Sequence, residues 1–283
     1  MIKFGVAGNS NSFYEEGYKH TTQAAEWCYK RGIELFEYSF GKGVKMTEKK
    51  AEEIGAAFSK FGIEMSAHAP YYINFSNPDD EKIYNSIQYV LASLQKLKEF
   101  KNGDRVVVHP ATQGKATREE AVYAAQKNLE KLAVFIAESG FENYKICLET
   151  MGKNAQIGTV EEITEFCKIA PFFYPCIDFG HVNARTQGSL KSEGDFRKII
   201  DHMLTYLPEE KVVNMHVHFS KIMYGASGEI KHLTFADDIY GPNFEPLSAV
   251  IKEYGLQPHI ICESDGTQAE DAVKMKEFFY KNK

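Results

Sequence analysis

The sequence predicts an α/β fold, a (β/α)8 TIM barrel in a single domain over residues 1–283. Three observations carry this expectation. Eight short runs rich in Val, Ile, Phe or Cys alternate with eight longer amphipathic stretches. Gly32, Gly62, Gly140 and Gly255 each fall where a helical stretch gives way to a strand, the C-terminal cap at which positive φ suits glycine. The composition never breaks into a linker, and 283 residues is near the roughly 250 of one such barrel.

The strands are expected at 2–7, 33–38, 63–68, 105–109, 145–149, 173–178, 211–218 and 258–263, each a short apolar run. The helices are expected at about 18–31, 47–61, 80–101, 117–139, 159–168, 192–206, 245–253 and 266–281. In the third of these, Ile83, Ile87, Val90, Leu91, Leu94 and Leu97 repeat at the spacing of one buried helix face. Thr117-Arg118-Glu119-Glu120 is a capping box that opens the fourth. Parallel strands need crossover connections, and eight such units close a barrel. An open doubly wound sheet would show the same alternation, but no G-x-G-x-x-G follows the first strand. The stretch 219–244 reads as one long irregular loop, a length that usually serves function.

Composition narrows the function classes. A net charge of −6 and a pI near 5.9 argue against a protein that coats nucleic acid non-specifically, without excluding a local basic groove. No apolar run approaches the length of a membrane span. The first residues read as a strand and not as a signal peptide, so the cytoplasm is the expected location. Cys28, Cys147, Cys167, Cys176 and Cys262 include no C-x-x-C pair and read as small buried hydrophobes.

The chemistry concentrates at strand ends. The third strand ends in His68, the fourth in His109, the fifth in Glu149 and the sixth in Asp178, with His181 three residues on. The seventh carries His216 and His218, and the eighth ends in Glu263. In a barrel these ends converge on one face. Acids and imidazoles so crowded repel and are poorly solvated unless a divalent cation compensates, and both are good ligands for Zn2+ or Mn2+. Period two puts His216 and His218 on one face of their strand, and the inward face is favoured.

The order and spelling of these pieces resemble the endonuclease IV family, the zinc-dependent apurinic/apyrimidinic endonucleases (family 2) among the xylose-isomerase-like barrels. The matching segments are His68-Ala69-Pro70-Tyr71-Tyr72-Ile73-Asn74, Val108-His109-Pro110, Leu148-Glu149-Thr150-Met151-Gly152, Ile177-Asp178-Phe179-Gly180-His181, Met215-His216 and Cys262-Glu263. The resemblance implies two or three zinc ions, with manganese as the other candidate. It implies that His68 and His109 hold the first ion and that Glu149 bridges to the second. Asp178, His216 and Glu263 complete the second, and His181 and His232 serve the third. The family's Asp-x-His in the loop after the seventh strand lacks its Asp here, leaving Glu229 or His218 to replace it.

The implied activity is hydrolysis of the phosphodiester at abasic sites in DNA by metal-bound hydroxide, with Glu149 as the catalytic carboxylate. Tyr71, Tyr72 and Asn74 are the implied substrate contacts, the tyrosines by stacking on bases. Lys42, Lys45, Lys115, Arg118, Arg185, Lys191, Lys221 and Lys231 lie mostly on the loops of that face, where they can meet phosphates. The rival expectation is a sugar-phosphate isomerase or epimerase on the same barrel, with Glu149 and Glu263 as an acid/base pair beside one metal. No membrane or protein partner is implied.

Overall fold

The computed structural model describes residues 1–281. Eight parallel strands close into a barrel: β1 (Lys3–Ala7), β2 (Leu35–Ser39), β3 (Glu64–His68), β4 (Arg105–Val108), β5 (Lys145–Glu149), β6 (Phe173–Asp178), β7 (His216–Phe219) and β8 (His259–Cys262). Each pairs with its neighbours in chain order, and β8 closes on β1 with Cys262 opposite Val6. The expected (β/α)8 architecture is therefore the fold. Helices Thr21–Lys30, Glu48–Lys60, Asp80–Phe100, Arg118–Glu138, Val160–Cys167, Glu193–Tyr206, Phe244–Glu253 and Gln268–Lys281 surround it. Thr117 and Glu120 form the anticipated reciprocal cap. Gly32, Gly62, Gly140 and Gly255 all take positive φ between 63° and 70°. Among the described residues no helix is long and apolar enough to cross a membrane.

Three local expectations change. The run 211–218 is not one strand: Glu209–Val213 is a short helix and β7 begins only at His216. Its two valines read as strand, but Pro208 and the acidic first turn Glu209-Glu210 favour a helix start. Second, Phe179–Arg185 is a helix, capped when the Asp178 carboxylate accepts from the His181 amide at 2.7 Å. Third, the stretch after β7 is partly ordered as an antiparallel hairpin, Ile222–Gly225 with Gly228–His232. A further short helix, Asn11–Glu15, follows β1.

The main apolar core lies between strands and helices. The barrel axis is different. Val107, Cys147, Tyr174 and Cys176 form an apolar cluster of their own there, separate from the main core. Glu37 on β2 and His216 on β7 are not on neighbouring strands, yet the His216 Nε2 lies 3.0 Å from the Glu37 Oε2. That contact crosses the barrel interior. Ser66 donates to the same oxygen at 2.7 Å. Arg105 on β4 reaches the carbonyls of Asn214 and Met215, just before β7. Barrels of this kind usually fill their axis with branched apolar side chains. Here a buried polar column takes much of that place.

Close approach sets one backbone requirement. A Cβ on Gly103, before β4, would sit 1.6 Å from the Met65 carbonyl oxygen. Gly103→Ala is therefore expected to lose about 3 kcal/mol, the upper end of what overpacking costs. A fall in the urea unfolding midpoint would show it, and an unchanged midpoint would refute it.

Candidate metal centre

The register of the barrel brings the strand ends to one level. Glu149 pairs with Cys176 and Asp178 pairs with His218, so β5, β6 and β7 present acid, acid and imidazole side by side. His109 and Glu263 directly follow β4 and β8, His181 lies on the helix after β6, and Glu229 and His232 lie on the hairpin after β7. Among the described residues four groups of potential ligand atoms result, each within 4.8 Å. Three stand at the mouth: His68, His109 and Glu149; Glu149, Asp178, His218 and Glu263; and His181, Glu229 and His232. The fourth, Cys176, His216 and His218, is fully buried. The mouth groups border a cavity of about 320 Å³ that is also lined by Tyr71, Met151 and Lys153. A larger cavity of about 580 Å³ shares Met151 but holds none of these ligand side chains.

Glu149 ties the first two groups together. Its Oε2 lies 2.9 Å from the His109 Nε2 and 3.2 Å from the His68 Nε2. Its Oε1 lies 3.1 Å from the His218 Nδ1. The third group hangs on the hairpin. Glu229 places Oε2 3.4 Å from the His181 Nε2 and Oε1 4.0 Å from the His232 Nε2.

The far nitrogen of most of these rings is held. His68 Nδ1 donates to the Ala69 carbonyl at 2.7 Å, and His181 Nδ1 to the Thr150 carbonyl at 2.9 Å. His232 Nδ1 meets the Ser220 hydroxyl at 2.8 Å. In a neutral ring each of these contacts can keep the proton on Nδ1 and turn Nε2 to the cavity, the arrangement a metal ligand needs. His218 is turned the other way, with Nδ1 toward the cavity and Nε2 3.0 Å from the Glu37 Oε1.

The electrostatics call for positive charge. Burial pushes the Asp178 carboxyl up to about 6, against the His181 imidazole. Burial would also raise Glu149 and Glu263. The His109 and His218 imidazoles nevertheless hold Glu149 well below the usual carboxylate range, and His218 brings Glu263 to about 2. Burial would lower His68, but Glu149 lifts it to about 9. Protonated imidazoles stand in for the missing positive charge. Asp178 Oδ2 is buried without a hydrogen-bond partner, which a cation would satisfy. The donor set is nitrogen and carboxylate oxygen throughout, chemistry suited to zinc or manganese.

Most of the residues singled out from sequence are brought together: His68, His109, Glu149, Asp178, His181, His232 and Glu263 all belong to the three groups. His216 does not join Asp178 and Glu263. It lies two residues deeper on β7, against Glu37, and His218 takes the expected place. Of the two residues offered for the missing Asp, Glu229 stands beside His181 and His232, while His218 groups with Glu149, Asp178 and Glu263. Asn74 is turned to structure. Its Oδ1 accepts from the Ser76 and Thr112 amides, and its Nδ2 donates to the Thr112 hydroxyl, tying the loops after β3 and β4. Tyr71, 65 % exposed, lines the cavity mouth, while Tyr72 leans edge-on against Tyr89.

Two of the anticipated phosphate contacts are engaged elsewhere. Arg118 is paired with Glu162, and Arg185 donates to the carbonyls of Met151, Lys153, Asn154 and Gln156. Sequence reading missed Glu37. Its only signal was an acid inside the apolar run Leu35-Phe36-Glu37-Tyr38. The five cysteines are all buried and unpaired, as expected.

Comparison with known proteins places this geometry among relatives. A family model described as xylose isomerase-like TIM barrel matches residues 25–281. An uncharacterised protein of Methanocaldococcus jannaschii is 30% identical over 279 residues, covering 98% of this chain and 96% of that protein. A probable endonuclease 4 of Acholeplasma laidlawii is 34% identical over 119 residues, which is 40% of this chain and 39% of that protein. Among solved structures, a D-tagatose 3-epimerase-like protein superposes with a TM-score of 0.69 at 20% identity, over 99% of this chain and 96% of the other.

Proposed function

We propose that this chain, which belongs to the xylose isomerase-like TIM barrel family, is a metal-dependent hydrolase that cleaves the phosphodiester at abasic sites in DNA. The observation that carries the reading is the third group. His181, Glu229 and His232 converge beside two groups already sufficient for two ions. A one-ion sugar enzyme has no use for it. These groups would hold divalent ions, which when bound would supply the Lewis acidity that phosphodiester hydrolysis at neutral pH calls for.

The protein's own part is placement. Glu149, shared between two groups, fixes their separation and accepts a hydrogen bond from the attacking water. Glu229 draws the hairpin down on His181 and closes the third group. Tyr71 stands at the mouth, where an exposed ring can fill the gap left by a missing base. Lys153 lines the mouth, and Lys42 and Lys45 border the adjoining hollow, so cations face the phosphate path despite the acidic total.

The test is direct. Protein loaded with zinc or manganese is expected to nick a duplex carrying one abasic site. Chelation is expected to abolish nicking, and added metal to restore it. No cleavage at micromolar protein would refute the reading.

A second reading draws on the second group alone. Glu149, Asp178, His218 and Glu263 suffice for one ion, and two carboxylates beside it suit proton exchange on a sugar phosphate. Epimerisation of ketose phosphates without nicking would favour it.

A further inference from the structure

Beneath the mouth lies the fourth group, and two of its members, Cys176 and His216, have no part in the chemistry proposed above. Cys176 on β6 stands opposite His216 on β7, and His218 lies two residues further along β7. All three are fully buried, and each offers a ligand atom within 4.8 Å of the others. Glu37, 1 % exposed, approaches them from β2 across the axis. Its Oε2 accepts from Ser66 and lies 3.0 Å from the His216 Nε2. The His218 Nδ1 is taken up by the Glu149 Oε1. Three buried atoms are then left without a hydrogen-bond partner: the Glu37 Oε1, the His216 Nδ1 and the His218 Nε2. Unmet lone pairs and N–H groups concentrated in one dry stretch of the axis are costly unless something there satisfies them.

We propose that Cys176, His216 and His218 hold a structural zinc ion inside the barrel, with Glu37 as its charge partner. The inference stands apart from the cleavage reading, since it needs no activity. Geometry supports it first. The Glu37 Oε1 and the His218 Nε2 are 3.0 Å apart and yet make no hydrogen bond. Two donors of one tetrahedral ion stand side by side in this way, ~3.3 Å apart when each bond is ~2.0 Å. Charge supports it next. The Cys176 thiol gives up its proton as the ion enters. Thiolate and Glu37 carboxylate then carry two negative charges, which a divalent ion cancels, so the interior is left without an uncompensated charge. The donor set chooses the metal: thiolate and imidazole suit zinc, while manganese prefers oxygen ligands. The three mouth groups contain no sulfur, so this site selects zinc whichever ion fills the mouth. The His218 ring has a nitrogen for each side, Nδ1 toward Glu149 and Nε2 toward Glu37. The ion ties β2, β6 and β7 together across the axis, which accounts for polar side chains where the fold usually packs branched apolar ones.

The experiment is cobalt substitution, read by absorption of the full chain produced with cobalt as the only added transition metal. Cobalt takes the tetrahedral sites of zinc, and a thiolate bound to it gives a near-ultraviolet charge-transfer band that nitrogen and oxygen ligands do not give. The full chain is expected to show this band. Cys176→Ser is expected to lose it together with one bound ion. Cys147→Ser, which alters the other thiol of the axis cluster, is expected to keep it. A full chain without the band would overturn the proposal, as would a band that survives Cys176→Ser or one that Cys147→Ser removes. Should Cys176→Ser fail to fold, the full chain decides alone. X-ray absorption of its zinc form is expected to show sulfur at ~2.3 Å, and a shell of nitrogen and oxygen only would overturn the site. Neither measurement reads turnover, so a chain that cleaves no abasic site is tested in the same way.

Discussion

Glu149→Ala is expected to lower turnover by at least ~1000-fold, since loss of an outer partner of a metal ligand alone costs about 10–100-fold. The carboxylate is 1 % exposed, and its two oxygens face different ligand groups. No neighbour can reach both sides in its place. Removing it also leaves His68, His109 and His218 without the acid that balances them, and an uncompensated buried charge is strongly destabilising. Metal content should therefore fall as well as rate. Elemental analysis and single-turnover kinetics on folded protein would check both. Turnover within tenfold of the parent would show that the chemistry lies elsewhere.

Gly152→Ala is the second large effect, and it comes from a residue with no side chain. A Cβ there would lie 2.7 Å from the Glu229 Cβ and 2.8 Å from both the Glu229 Oε2 and the His181 Cδ2. The backbone also matters, because the Glu229 amide donates to the Gly152 carbonyl at 3.0 Å. The added methyl has to push Glu229 and His181 apart, which are the two ends of the third group. The expected result is one fewer bound ion and a fall in cleavage of about 100-fold, the scale of losing one element of transition-state charge stabilisation. The first two groups should titrate as before. Parental stoichiometry and rate in this variant would remove the third group from the mechanism.

How much of this was legible in the sequence depends on the kind of order involved. The barrel was legible because alternation of period and position repeats eight times, so an error in one element does not change the closure. His68, His109, Asp178 and Glu263 were legible as one cluster because each lies at or just past the C-terminal end of its strand, and those ends share one mouth of the barrel. His216 and His218 were not separable. Period two sends both inward, and only the stagger between β6 and β7, which sets Asp178 opposite His218, decides which one stands at the mouth. Glu37 had no partner at a telltale spacing, since its contacts come from strands 29 and 179 residues away. The hairpin was hidden because its turn, Gly225-Ala226-Ser227-Gly228, interrupts no clear apolar alternation. Its shape is imposed by docking on Gly152 and Asn154.

That docking separates the site into a permanent part and a detachable one. The strands and the residues just past their ends bring the first two groups together as a by-product of closing the barrel. Two of the three members of the third group, Glu229 and His232, are delivered by a two-stranded arm that leaves the sheet after β7 and clips onto the loop following β5. An arm of this kind can be lengthened, shortened or exchanged without disturbing a single barrel register. One surface excursion therefore decides whether the third group is complete, while the first two are fixed by the barrel itself.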